Sequence, residues 1–218
     1  KEIIKMRQCL VILAKTPIFS DVKTRLKSKI GKKNTLIFYK FCRNCVRDLK
    51  SKHDYDMKIA IAEKDAVSNN YWNGFDTFFA KGKNLAEKQY FIFKKLLKIY
   101  ESVILIGIDI PQLEKKLIKN AFRFLKRNDY IIGPSSDGGF YLIGSKSKIA
   151  KEVWENTEWS STKTMQTFVR SLGHKTYKLK KFTDVDEFYD FQKMLKEMPT
   201  FASKHQLRLI NWVNSIDG

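Results

Sequence analysis

The stretch that decides the fold is Val103-Ile-Leu-Ile106-Gly107-Ile108-Asp109-Ile110-Pro111, followed after a helix-like segment by Ile131-Ile-Gly133-Pro134-Ser-Ser-Asp137-Gly138-Gly139-Phe140-Tyr141. Residues 103–106 form an unbroken aliphatic run, the pattern of a strand covered on both faces. Gly107 permits close approach of a ligand or another chain segment, and Pro111 stiffens the exit. Each piece sets an aspartate at the mouth of a buried strand. In an open α/β sheet, ligands bind in the crevice outside the carboxyl ends of the strands. Carboxylates in that crevice predict a site for a phosphorylated substrate with a divalent cation, because Mg2+ and Mn2+ prefer oxygen ligands and bridge phosphates.

Outward from this stretch, strand and helix patterns alternate. Residues 9–14 read as a buried strand and 15–21 as a loop. A short helix at 22–30 closes at Gly31, and 33–50 continues with helical spacing. Strands are expected at 55–62, 75–79, 102–106, 130–132, 140–143 and 175–179. Helices are expected at 85–100, 113–126, 161–172, 186–198 and 203–216. Such alternation predicts βαβ units and a mostly parallel sheet. No Pro/Gly-rich linker divides the chain, so a single domain over 1–218 is expected, with 199–218 as a C-terminal helical extension.

Composition narrows the classes. An apolar content of 43% supports a packed core. The formal charge of +19, from 42 Lys and Arg against 23 Asp and Glu, favours polyanionic ligands. The basic residues are spread from Lys1 to Arg208, which is also the pattern of a solvated lysine-rich surface, and lysine predominates where base reading leans on Arg forks. Nucleic acid is therefore disfavoured as a partner. Cys9, Cys42 and Cys45 make no disulfide framework, and no second Cys pair or histidine completes a metal set around Cys42 and Cys45. Reduced thiols and a cytoplasmic location are expected. No apolar run reaches membrane-spanning length. The apolar run 11–14 is too short for a signal peptide and Lys15 interrupts it.

Asp109 is a candidate cation ligand, or the cap of the helix after Pro111. Asp137 lies in Ser-Ser-Asp-Gly-Gly, which reads either as a hairpin turn or as a tight loop whose free amides hold an oxyanion. Asp186, in Asp184-Val185-Asp186, either caps the next helix or completes a cation site with Asp109. Lys23 and Arg25, after the first strand, suit a diphosphate. The glycines of a Walker loop or of a dinucleotide fingerprint are absent. No Gly-x-Ser-x-Gly elbow occurs, and His53, His174 and His205 lack metal-ligand spacing. Trp159 and Ser160 are candidates for a substrate pocket, although Ser160 or Ser161 also suits a helix cap.

In this order, Ala14-Lys15-x-Pro17, Val22-Lys23-Thr24-Arg25-Leu26, Gly107-x-Asp109-x-Pro111, Asp137-Gly138-Gly139-Phe140-Tyr141, Trp159-Ser160 and Asp184-Val185-Asp186 form a specific set. The set resembles the bacterial DUF2064 family, also described as radical-SAM/selenodomain-associated transferases of the nucleotide-diphospho-sugar transferase superfamily. The resemblance implies a GT-A-like three-layer α/β/α sandwich. It places Lys15, Lys23 and Arg25 with Gly107 at the nucleotide phosphates, Asp109 and Asp186 on Mg2+ or Mn2+, and Asp109 and Asp137 in catalysis. Gly138, Gly139, Trp159 and Ser160 would shape the substrate pocket. One departure stands out: where the family has an Asp-Leu-Gly-x-Arg opening to its middle helix, this chain reads Asn84-Leu85-Ala86-Glu87-Lys88.

The expected activity is metal-dependent glycosyl transfer from a nucleotide sugar to an unidentified acceptor. One alternative is nucleotidyl transfer, in which a nucleoside triphosphate condenses with a phosphorylated small molecule and releases pyrophosphate. The other is a catalytically degenerate binding protein for polyanions. A homodimer is compatible with the sequence.

Overall fold

The computed structural model describes residues 8–173 and 175–216; His174 and both ends of the expected 1–218 span lie outside it. Among the described residues one seven-stranded sheet organises the chain, in the order β3-β2-β1-β4-β6-β5-β7. Its strands are β1 (Gln8–Ala14), β2 (Asp56–Ile61), β3 (Asp76–Phe79), β4 (Ser102–Gly107), β5 (Tyr130–Pro134), β6 (Phe140–Ser145) and β7 (Thr176–Lys178). β3-β2-β1-β4 pair in parallel, as do β5 and β7, and β6 runs antiparallel to both neighbours. The centre is β1 against β4, with Leu10 opposite Ile104 and Ile12 opposite Ile106.

Alternation along these strands builds two cores. Leu10, Ile12, Ile104 and Ile106 face one layer, and Val11, Val103 and Leu105 face the other. The first layer is covered by α1 (Thr24–Asp48), α3 (Lys115–Arg127), α6 (Asp190–Lys196) and α7 (Lys204–Ile216). The second is covered by α2 (Leu85–Leu96), α4 (Lys151–Glu155) and α5 (Thr164–Leu172). Burying each such aliphatic side chain contributes about 1.5–3 kcal/mol. The expected three-layer α/β/α sandwich with a mostly parallel sheet is the observed architecture.

Two elements differ from the sequence reading. α4 was not anticipated; its Trp154 packs on Phe93, Phe168 and Trp159. At Gly31 (φ 78°, ψ 164°) the backbone leaves helical geometry, so α1 consists of two helical segments joined across a kink at the residue where the first was expected to close. α6 starts at Asp190, four residues later than expected, because the Asp190 carboxylate accepts the amides of Asp186 (3.2 Å) and Glu187 (2.9 Å). Asp186 is thereby not a helix cap, and its side chain is free to point elsewhere. Asp109 is no cap either, since α3 begins at Lys115 after Glu114.

The C-terminal segment is built into the first layer. Trp212 of α7 packs on Phe38 and Phe41 of α1. Gln206 Nε2 donates to the carbonyls of Pro111 (2.9 Å) and Leu113 (3.1 Å), tying α7 to the chain just beyond β4. The cysteines are buried free thiols, and burial raises Cys9 and Cys45 to about 12. Among the described residues, no helix is long and apolar enough to cross a membrane.

Candidate functional site

A cavity of about 720 Å³ opens at the carboxyl ends of β1 and β4, between the first turns of α1 and α2 and the 184–186 segment. Its position follows from topology: β1, β2 and β4 run in parallel, so their outgoing loops gather on one edge of the sheet.

The loop from β1 to α1 is anchored first. The Lys15 amide donates to the Tyr39 hydroxyl (3.1 Å), which itself donates to the Lys15 carbonyl (2.8 Å). The Thr16 amide donates to Glu63 (3.0 Å), and Trp72 Nε1 donates to the Thr16 hydroxyl (2.9 Å). The loop ends at Lys23, held in the left-handed region (φ 48°, ψ 54°) immediately before α1. A non-glycine residue there is strained, and such strain persists only where its surroundings enforce it.

The ammonium of Lys23 provides that enforcement. It donates to Asp109 and, at 2.6 Å, to Asp186, with only 8% of the lysine side chain exposed. Burial pushes an ammonium's pKa down, but the two carboxylates outweigh it and raise Lys23 above the ordinary lysine value. Arg25, largely exposed, lies 3.7 Å from the other oxygen of Asp186. Gly107 makes room for this arrangement, since a Cβ there would sit 2.6 Å from Asp109 Oδ1. The Val185 amide approaches the Asp109 carbonyl at 3.5 Å, joining the two acidic segments through the backbone.

Asp184 also lines the cavity, a residue to which the sequence reading gave no role of its own. Burial, and then the negative charges of Asp109 and Asp137, lift its carboxyl to about 7, with Lys23 opposing. Tyr39 and Gln89 were missed as well. Both sit on helices, where a polar residue at a buried position looks like ordinary packing until the opposite wall is known.

Lys15, Lys23, Arg25, Gly107, Asp109 and Asp186 therefore line one cavity. Asp137 does not line it but is near enough to Asp184 for its charge to act on that cavity-lining carboxyl. Asp137 accepts the Ser135 hydroxyl and the Gly139 amide (2.8 Å), closing the turn between β5 and β6. Gly138 (φ 91°) presses against the 160–165 loop so closely that a Cβ would meet the Thr162 carbonyl oxygen at 2.0 Å. Trp159 packs on Phe140 and Trp154 and donates its Nε1 to the Trp154 carbonyl (2.8 Å). Ser160 adopts φ 57° in the following turn. Neither Asp137 and its two glycines nor Trp159 and Ser160 line the cavity.

At the mouth of α2, the Asn84 side chain accepts the Glu87 amide (2.9 Å) and Glu87 accepts the Lys83 amide (2.9 Å), a reciprocal cap. Lys88 folds back onto the Gly82 carbonyl. The departure at 84–88 thus leaves a well-formed helix start on the cavity wall.

Among the described residues, no cluster of three or more His, Cys, Asp or Glu is arranged to hold a metal ion. The donor chemistry nonetheless suits a hard cation: two carboxylates from distant segments converge on one positive charge, the Lys23 ammonium standing where a cation would be drawn.

Fold and site together define a GT-A-like α/β sandwich with a basic-acidic crevice at its strand ends. The chain belongs to the DUF2064 family, described as uncharacterised proteins conserved in bacteria, whose model matches residues 45–161. It is 30% identical over 159 residues to the 2-phospho-L-lactate guanylyltransferase of Methanocaldococcus jannaschii, a match covering 69% of this chain and 64% of that protein. The chain thus spans about three fifths of the length of the curated relatives it matches. Among solved structures, it superposes on a candidate nucleotide-diphospho-sugar transferase from Desulfovibrio desulfuricans G20 with a TM-score of 0.81 and 25% identity, covering 94% of this chain and 97% of that one. Rv0371c from Mycobacterium tuberculosis H37Rv, in a complex with manganese, shares the fold at a TM-score of 0.52 and 13% identity, over 88% and 98% of the two chains.

These relatives correct the expectation of glycosyl transfer. The curated matches are guanylyltransferases, which move a nucleotidyl group rather than a sugar. The likeness that suggested a nucleotide-sugar donor lies in the fold, and one fold hosts many chemistries.

Proposed function

We propose that this protein is a nucleotidyltransferase that condenses a nucleoside triphosphate with a phosphorylated small molecule and releases pyrophosphate. The observation that carries the reading is the convergence of Lys23, Asp109, Asp186 and Arg25 at one strand-end cavity. The guanylyltransferase relatives supply the direction: GTP and a phosphorylated hydroxy acid are the first pair to try.

In this reaction an acceptor phosphate oxygen attacks the α-phosphorus, and the bond from that phosphorus to its β-bridging oxygen breaks. Pyrophosphate leaves with the bonding pair. A phosphate nucleophile is already ionised at neutral pH, so the protein's task is positioning and charge neutralisation rather than proton removal. Lys15 and Arg25, at the exposed rim, would steer the triphosphate in; Lys23, deeper, would neutralise charge building on the leaving group. Asp109 and Asp186 would hold Mg2+ or Mn2+, which supplies further neutralisation of the triphosphate when bound. Gly107 keeps the Asp109 carboxylate in place.

The test is product analysis. The protein is incubated with each nucleoside triphosphate, Mg2+ or Mn2+, and 2-phospho-L-lactate or other phosphorylated hydroxy acids. Pyrophosphate should appear with a nucleoside-monophosphate adduct of the acceptor, and Asp109→Asn should lower the rate by at least ~100-fold. Hydrolysis to nucleoside diphosphate, or no turnover with any pair, would defeat the reading.

A further inference from the structure

A second groove, of about 1000 Å³, lies along α2 on a face other than the one that buries Ile92, Phe93 and Leu96. Tyr90, Phe91, Lys94, Lys95 and Lys98 line it at the three- and four-residue spacing of one helix face. Lys81 and Lys83 continue it ahead of the helix, and Lys151 at the start of α4 lines it too. Six of its eleven lining residues are therefore lysines, and Glu87 is the one acid among them. The whole chain holds 42 basic and 23 acidic residues in 218, so this concentration exceeds that of an evenly solvated basic surface. Lys151 pairs with Glu155, and Glu87 is engaged by the Lys83 amide. Lys81, Lys83, Lys94, Lys95 and Lys98 are exposed and make no ion pair among the described residues. Lys94 and Lys95 lie within one turn of Lys98, a like-charge spacing that destabilises a helix.

The shape and the aromatic rings select among anionic partners. Lys94 sits over the Tyr90 ring at 5.4 Å, and Lys95 over Phe78 at 5.0 Å and Phe91 at 5.9 Å. Those ring faces already carry an ammonium, so they are poor stacking platforms for nucleobases. The lysines are point charges, and no arginine lines the groove to fork onto a phosphate. A membrane is met by protruding apolar residues, whereas here Ile99 is the one large apolar side chain of the lining that is exposed. A second copy of the chain is repelled by its charge of +19. The 12 residues of α2 alone span roughly 18 Å, far longer than a single small anion. About six residues of extended polypeptide cover that length.

We propose that this groove is a docking surface for an extended acidic segment of a partner protein. Carboxylates along the segment pair with Lys83, Lys94, Lys95 and Lys98, and an apolar side chain rests against Phe91 and Ile99. The proposal is independent of the nucleotidyl-transfer reading, since the groove is separate from the Lys23, Asp109 and Asp186 cluster. Lys83 lines both cavities, so a docked segment lies beside the mouth of the strand-end cavity without filling it.

The experiment is fluorescence anisotropy with a labelled oligoglutamate peptide of about seven residues carrying one central leucine. An oligoglutamine peptide, an oligothymidylate of equal length and vesicles of equimolar phosphatidylcholine and phosphatidylglycerol serve as comparisons. The full chain should prefer the acidic peptide to all three, with affinity falling as salt is added. Combined Lys94→Glu, Lys95→Glu and Lys98→Glu should weaken peptide binding ~10-fold or more. Combined Lys115→Glu, Lys116→Glu and Lys126→Glu on α3 makes the same change in net charge away from the groove, and should weaken it by less than about threefold. Lys94→Gln, Lys95→Gln and Lys98→Gln together add no new charge; they should give a smaller loss in the same direction, and decide the case if charge reversal unfolds α2. Equal losses for the α2 and α3 variants would overturn the groove as the docking surface, as would a wild type that does not bind the acidic peptide. Tighter binding of the oligothymidylate or the vesicles, lost in the α2 variants, would overturn the acidic segment as the occupant.

Discussion

Lys23 neutralises two carboxylates that would otherwise repel each other across the floor of the cavity. Removing one member of a shielded ion cluster leaves uncompensated charge, and the cost here is moderated because Asp186 is 40% exposed. Lys23→Met should therefore lower the Tm by several degrees in EDTA. Millimolar Mg2+ should restore more stability to the variant than to the wild type, since a divalent cation can take over the vacated charge. Equal responses to Mg2+ would show that the acids do not share a cation site. Asp184 sets a pH dependence of opposite sign to that of an ordinary ion-paired carboxylate. Its folded-state pKa is raised from 3.8 to about 7 by burial and by Asp109 and Asp137. The neutral form is thus favoured by folding, so its contribution to stability is complete below pH ~4 and lost as pH rises through about 7. Asp184→Asn should raise the Tm at pH 8 by roughly 4–8 °C, equivalent to about 2 kcal/mol for a chain of this size, with little change at pH 4. Thermal melts of metal-free protein across that range would check it; a variant equally shifted at both pH values would refute the cause.

At the scale of elements, the first turn of α6 and the start of α2 decide which polar groups reach the cavity. Asp190 accepts the amides of Asp186 and Glu187, which keeps those residues out of the helix and turns the Asp186 side chain toward Lys23. Asp190→Ala should cost about 1–2 kcal/mol, the ordinary loss of such an amide acceptor at a helix start. It should also weaken nucleotide binding by several-fold through the loosened Asp186. Chemical denaturation gives the first quantity and calorimetry the second. Loss of stability with unchanged binding would mean that Asp186 holds its position without this support. α2 acts similarly through its reciprocal cap from Asn84 and Glu87, which fixes the helix start above Gln89.

At the scale of the whole molecule, α7 is part of the fold that supports the site. Leu209 and Val213 are buried, Trp212 lies among Phe38, Phe41 and Phe191, and Gln206 holds the carbonyls of Pro111 and Leu113 next to the Asp109 strand exit. Ending the chain at residue 198 should expose this apolar face and abolish cooperative unfolding, visible as loss of a calorimetric transition and gain of dye binding. A truncated chain that melts like the full one would make 199–218 a mere appendage.

The alternation of aliphatic runs with helical spacing determined the α/β class by itself, because burial on one or two faces imposes periods that can be read locally. Asp109 at the end of β4 was legible for the same reason: it follows its strand within a few residues. The ordered motifs also carried the family. Tertiary structure decided the rest. Lys23 lies 86 residues from Asp109 and 163 from Asp186, and only closure of the sheet sets its ammonium between them. Local pattern left Asp137 open between a turn and a pocket, and only the folded chain shows it closing the β5–β6 turn, beside Gly138 packed on the 160–165 loop, while its charge reaches the sequence-distant Asp184. Gln89 read as one more helical residue, since its place on the cavity wall is known only when the opposite wall is there. Strand and helix arise from the order of side chains along the chain, whereas the charges and vacancies of a binding site are set by which distant side chains meet.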